Sequence, residues 1–174
     1  FDKAVANASN AGDTVTVTET LDETLPFAST ADVQADDVII KGSSSDVIIN
    51  STQNPVINPN DRHNLTVQDL DFDSKGKDNG PAISGTASNL TVTDNQFTNI
   101  TSNIAVDLTI NDNGGESSAS SIDANTFTNV QDGLQIDASG TDGTGDSVDV
   151  TSNTVQSFSG TFGLDLDGLT SGTT

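Results

Sequence analysis

Apolar residues fall at alternate positions in short runs through most of the chain. Val15 and Val17 flank Thr16, Leu65 and Val67 flank Thr66, and Leu90 and Val92 flank Thr91. Later, Leu134 and Ile136 flank Gln135, and Leu164 and Leu166 flank Asp165. Alternation of this kind puts successive side chains on opposite faces of an extended strand. Gly, Asn, Asp, Ser and Thr cluster between the runs, which is the composition of turns. Helical periodicity is confined to the start. There Asp2 to Ser9 reads as a short amphipathic helix, closed by a turn at Gly12-Asp13.

The runs repeat. Asn89-Leu90-Thr91-Val92-Thr93-Asp94-Asn95-Gln96-Phe97 has relatives at Asn64 to Phe72, Ser121 to Phe127 and Ser147 to Val155. Aligning them places Phe72, Phe97, Phe127 and Val155 in one column, at spacings of 25, 30 and 28. Upstream, Val38-Ile39-Ile40 aligns with Leu65-Thr66-Val67, and Val15-Thr16-Val17 stands one shorter repeat before Val38. A second column holds Val106-Asp107-Leu108, Leu134-Gln135-Ile136 and Leu164-Asp165-Leu166, with Ile83 marking it one repeat earlier. A single repeat of this size cannot bury its own apolar face, so neighbours must stack. One coil per repeat with parallel strands gives an all-β parallel β-helix of about six coils, roughly 30 Å long at ~4.8 Å per coil. Asn95, Asn125 and Asn153 align in the bend between strands. Asn tolerates a left-handed backbone there, and its amide can bond the next coil as Asn ladders do in stacked sheets.

On this pattern 1–174 is a single domain, with an N-terminal cap over 1–12, coils over 13–168 and a Gly/Thr/Ser tail over 169–174. The helix covers the open edge of the first coil. The last coil has no comparable cover, so the tail, another subunit or further sequence is expected there, through self-association or an adjoining domain. A chain that opens on Phe and contains no Met reads as a processed product or a piece of something longer.

Composition excludes several classes. Of 26 acidic residues 23 are Asp, against 5 basic residues, for a net charge of −21. Apolar content is 32%, and there is no Cys, Met, Trp or Tyr. Disulfides and thiolate metal sites are impossible. No apolar run reaches the ~18 residues that a spanning helix needs, so membrane insertion is not expected. Nucleic acid is not an expected partner, because phosphates require clustered Lys and Arg. Low hydrophobicity with high charge is also the signature of disorder, but the ordered alternation argues against it. An Asp-rich, Lys-poor surface resembles that of halophilic proteins, which need salt to screen self-repulsion.

Three segments carry a family resemblance: Ala8 to Val17, Asp37-Val38-Ile39-Ile40-Lys41-Gly42, and the Asn-Leu-Thr-Val-x-Asp-Asn-x-Phe-x-Asn unit at 89–99 with its relatives. They resemble the right-handed parallel β-helix proteins of the pectate-lyase-like superfamily, over about residues 4–168. The resemblance implies a single-stranded right-handed β-helix. It leaves activity open among lyases, hydrolases, isomerases, esterases, adhesins, surface-layer proteins and viral tail spikes, since fold alone does not select a function.

Candidate chemistry follows from the columns. Asp107, Gln135 and Asp165 should point outward together, with Thr109, Asp137 and Asp167 in the next column. Hydrolases of the resembling fold use clustered Asp as acid and base, which makes Asp137, Asp165 and Asp167 weak catalytic candidates. The Gly-His-Gly and Arg-x-Lys signals that accompany them are missing. A lyase needs a base, usually Arg or Lys beside calcium, and the candidate is Arg62, the sole Arg, beside His63, the sole His, and Asp61. The competing readings are a solvated acidic surface and an ordinary loop. The Gly-bent segment Asp137 to Asp146 resembles a generic calcium loop, with Asp137, Asp142 and Asp146 as oxygen ligands. Asp69, Asp71 and Asp73 form a second outer cluster by alternation. Glycosylation sequons stand at Asn7, Asn50, Asn64, Asn89 and Asn99, as in exported chains.

The functional expectation is a non-catalytic extracellular structural or adhesive module of a cell-surface, filament or virion protein. Its partners would be a polysaccharide or surface glycan, with calcium as the one cofactor. A polysaccharide lyase or hydrolase, and a glycan-binding module without turnover, are the alternatives.

Overall fold

The computed structural model describes residues 1–19, 30–44, 48–49, 54–75, 80–111, 119–138 and 148–167. The chain opens with helix α1 (Asp2–Asn7) and the first coil, β1 (Thr14–Val17) and β2 (Ala31–Asp32). The second coil holds β3 (Ile39–Gly42), β4 (Ile48–Ile49) and β5 (Ile57–Asn58), followed by the short β6 (Arg62–His63). The third holds β7 (Thr66–Gln68), β8 (Asp71–Asp73) and β9 (Ile83–Ser88). The fourth holds β10 (Thr91–Thr93), β11 (Gln96–Thr98) and β12 (Ile104–Ile110). The fifth holds β13 (Ser120–Asp123), β14 (Thr126–Thr128) and β15 (Asp132–Asp137). The last holds β16 (Val148–Thr151), β17 (Thr154–Val155) and β18 (Leu164–Asp167).

Every pairing is parallel, and the strands form three sheets in the orders β1-β3-β7-β10-β13-β16, β17-β14-β11-β8-β4 and β18-β15-β12-β9-β5-β2. This is a parallel β-solenoid. Short alternating strands suit it because each coil needs only one or two inward side chains per sheet, while the outward ones face water. That accounts for a folded chain with so small an apolar fraction. The solenoid amounts to about four turns, rather than the six implied by counting repeats. The first coil has no described strand in the second sheet, and on the last coil Leu164 and Leu166 are exposed while Val148 is buried.

The core is a set of columns. Phe72, Phe97 and Phe127 pair in register, with ring centroids 5.2 and 5.0 Å apart and planes within 4° and 11° of parallel. Ile49 precedes them and Val155 follows. Stacked rings at this spacing add about 0.5–1.5 kcal/mol per pair beyond the area they bury. A second column runs Val15-Ile40-Val67-Val92-Ile122-Val150 through the first sheet. A third runs Ile57-Ile83-Val106-Leu134-Leu164. The register of β1 differs from the repeat alignment: Val15 pairs with Ile40, not with Val38. Both offsets keep Val15 inward, so alternation could not separate them. Val38, fully buried, precedes β3.

Asparagines line the bend between the first and second sheets. The Asn95 side-chain amide donates to Asn125 Oδ1 (3.1 Å) and to the Val67 carbonyl (2.9 Å). Asn125 repeats this toward Asn153 Oδ1 (3.0 Å) and the Val92 carbonyl (2.8 Å). Each Oδ1 also accepts a main-chain N–H from the coil before: Leu70 on Asn95, Asn95 on Asn125, Asn125 on Asn153. Buried polar groups are thereby satisfied. The left-handed residue at this bend is not the Asn but the one before it: Asp69, Asp94, Ala124 and Ser152 have φ of 54–56°. Asp69 is therefore a bend residue, and only Asp71 and Asp73 share the strand face.

The two ends differ. Val5 of α1 is fully buried, and the helix packs on β2. At the other end Phe158, Leu164 and Leu166 are 50%, 44% and 41% exposed, and they are the large apolar side chains exposed among the described residues. The last coil is tied down by Asp132, whose buried carboxylate accepts the main-chain N–H groups of Thr161 (2.6 Å) and Phe162 (2.9 Å). A Cβ on Gly160 would lie 2.3 Å from the same Oδ1, so only glycine lets the loop close over that carboxylate.

Candidate functional site

The acidic columns lie on the outer face of the third sheet. Register places Ser84, Asp107, Gln135 and Asp165 in one row across β9, β12, β15 and β18, and Thr86, Thr109, Asp137 and Asp167 in the next. Inward neighbours Val106, Leu108, Leu134 and Ile136 are buried, which fixes these polar residues outward. Asp137 and Asp167 are direct partners on adjacent strands, about 4.8 Å apart at the backbone. Both are exposed, and Asp165 is half-buried. Asp107 is also half-buried, and burial raises its carboxyl above the usual carboxylate value, because desolvation disfavours the charged form. The structure therefore brings Asp137, Asp165 and Asp167 together as expected, in an open ladder.

Arg62 does not join them. On β6 it pairs with Ala87, which in turn pairs with Ile110, and both are buried. Arg62 is half-exposed rather than buried, and β6 lies on the far side of β9 from β12, β15 and β18. Three strand spacings, ~14 Å, also separate β9 from β18. Arg62 Nε and His63 Nδ1 are both shielded from water and lack a hydrogen-bond partner. The His63 main-chain N–H donates to Asp36 Oδ1 at 3.0 Å. The pair is thus built into the wall of the solenoid.

A second acidic pair stands on the second sheet. Asp71 and Asp73 flank inward Phe72. Burial raises the Asp71 carboxyl, the Thr98 hydroxyl bonded to it (3.2 Å) lowers it, and the charge of Asp73 raises it again. Asp73 accepts from the Asn99 amide (2.9 Å) and the Lys75 N–H (2.8 Å). On the first sheet the exposed Asp123 carboxyl is lowered by hydroxyl hydrogen bonds from Thr151 and Ser152.

Of the proposed calcium ligands, Asp137 ends β15 and is exposed, while Asp142 and Asp146 lie outside the described residues. Among the described residues no group of three or more His, Asp or Glu side chains is placed to hold a metal ion. The tail over 169–174 and the sequon at Asn50 also lie outside them. Asn64, Asn89 and Asn99 are left-handed bend residues with φ of 57°, 50° and 58°, and Asn64 bonds Asp37 Oδ1 of the preceding coil at 2.7 Å. Geometry alone is a sufficient reason for those Asn residues. An open groove of about 390 Å³ lies between α1 and β1, lined by Asn7, Asp13, Thr14 and Thr16, away from the acidic columns.

Sequence reading missed Asp132, the most deeply buried carboxylate among the described residues. Its only signal was an Asp beside an apolar run, in a chain where Asp is everywhere.

The chain matches no family model, no curated protein and no solved structure. Its class is defined by its own geometry, that of a parallel β-solenoid with acidic, hydroxyl-rich outer faces.

Proposed function

We propose that this chain is a non-catalytic β-solenoid module of an extracellular protein, at a cell surface, in a filament or on a virion, adapted to high salt. The observation that carries this reading is the strand order of the third sheet, which puts the sole Arg on β6, beyond β9 and at least three strand spacings (~14 Å) from Asp137, Asp165 and Asp167. An acid–base or lyase site needs those groups within hydrogen-bond reach of one substrate. What the outer faces offer instead is a flat, regular grid of Asp, Thr, Ser, Asn and Gln. Such a grid suits cations, sugars or neighbouring molecules, carried by a core that resists bending. Membership of the pectate-lyase-like superfamily and use of calcium by the 137–146 loop belong to the same proposal.

The test is turnover. The protein is incubated with calcium and polymers of uronic acids or neutral sugars, beside Asp165→Asn and Arg62→Ala. The expected result is product release no greater than that of the variants. Release by the natural chain that either substitution abolishes would establish the enzyme reading. Retention on a glycan array without cleavage would select a glycan-binding module.

A further inference from the structure

The outer edge of β18 has a defined chemistry. The carbonyls of Gly163 and Asp167 accept from Leu134 N (3.1 Å) and Ala138 N (2.9 Å) of the fifth coil. In a parallel ladder alternate residues direct their main-chain groups to opposite sides. Leu164 and Leu166 therefore turn their N–H and C=O groups away from β15, along an edge that continues the third sheet. Their side chains, 44% and 41% exposed, continue the inward columns. Asp165 and Asp167 stand on the outward side of the same edge, next to Asp137. The edge thus asks for a strand that is apolar on one face and cationic on the other.

We propose that β18 is a docking edge for an extended segment of a partner polypeptide, added as a further parallel strand of the third sheet. The segment carries aliphatic residues at alternate positions, over Leu164 and Leu166, and Lys or Arg between them, beside Asp165 and Asp167. Main-chain hydrogen bonds and alternating side-chain pockets are how strand addition achieves affinity and specificity. Charge selects the occupant. A second copy of this chain brings a net charge of −21 to the same edge, and like charges in register are repulsive. A basic strand gains where a second copy loses. The opposite end cannot compete, because α1 lies over β2. Whether the outer faces bind glycans has no bearing on this edge.

The test uses a synthetic peptide of alternating Val and Lys, with a Val/Glu peptide as control, and follows amide hydrogen exchange together with anisotropy of the labelled peptide. The expected result is slowed exchange at Leu164 and Leu166 only when the Val/Lys peptide is present. Binding should weaken with added salt, and by about tenfold in Asp165→Asn/Asp167→Asn, as expected for two exposed ion pairs. That variant leaves the ladder and core untouched, and its far-UV spectrum reports whether it folds. Equal binding of the Val/Glu peptide would overturn the proposal. So would amides already protected without peptide, or a doubling of mass in solution that protects the same amides.

Discussion

Asn125 is the residue on which the ladder can be weighed. It is completely buried, and its side chain makes four hydrogen bonds: two donated, to Val92 O and Asn153 Oδ1, and two accepted, from Asn95 N and Asn95 Nδ2. In Asn125→Ala the Asn95 amide group keeps its bond to Val67 O, and Asn153 Oδ1 keeps the Asn125 N–H. One group loses its partner, the Asn95 N–H, because the Val92 carbonyl keeps the Asp123 N–H of the ladder. A buried orphan costs about 1–3 kcal/mol, so the loss should be of that size. That is a measurable share of the ~5–15 kcal/mol by which domains are stable. Asn153→Ala, half-buried on the last coil where water can enter, should cost only about 1 kcal/mol. Asn125→Asp keeps both acceptances but, once ionised, cannot donate. Burial raises its folded carboxyl above the unfolded value, so stability is retained below the unfolded value of ~3.9 and lost as pH rises through the folded one. With no Trp or Tyr, the assay is urea unfolding followed by far-UV circular dichroism, with outward-facing Thr91→Ala as control. An Asn125→Ala loss within about 0.5 kcal/mol of that control, the usual range for surface changes, would refute the ladder argument.

Three further outcomes are expected. Phe97→Ala should destabilise by about 3–5 kcal/mol and Phe97→Leu by much less, because the first opens a cavity between two stacked rings; equal losses in urea melts would contradict the column. Asp107→Asn should raise the melting temperature at pH 7, with the gain shrinking as pH falls toward 3.8, since the raised Asp107 carboxyl gives its stability only when protonated; Asp123→Asn should lower it at pH 7, the lowered Asp123 carboxyl giving its stability when ionised. The melting temperature should climb steeply with NaCl, because a charge of −21 is screened over ~10 Å at 0.1 M but ~3 Å at 1 M; a flat dependence, with or without calcium, would count against both salt adaptation and structural calcium.

What the sequence made legible follows from geometry. Phe72, Phe97 and Phe127 could be aligned because like rings recur at one place in each repeat, and the spacing between them is carried by recognisable neighbours. The outer Asp row on the third sheet followed from alternation alone. Register at β1 did not, because two offsets of equal parity satisfy the same pattern. The register of Arg62 was hidden by the interruption between β5 and β6. Ile57 pairs with Ile83 and Arg62 with Ala87, so the offset between partners shortens by one across that interruption. A slip of one position there reverses the face on which a side chain emerges. Asp132 was illegible because a carboxylate that holds main-chain N–H groups is identical in sequence to one that faces water.

The bend lined by Asn95, Asn125 and Asn153 has a bearing on how such a chain can change length. From the third coil onward, the inward residue of the first sheet and that of the second are always five apart: Val67 and Phe72, Val92 and Phe97, Ile122 and Phe127, Val150 and Val155. All the variation in repeat length falls elsewhere in the coil. The amide-lined bend is thus a measuring stick, and the remaining connections are places where loops can be grafted or trimmed without losing count. A single residue inserted between Val92 and Phe97 would turn the ring to solvent, whereas a whole loop inserted after β12 would leave the stack in step.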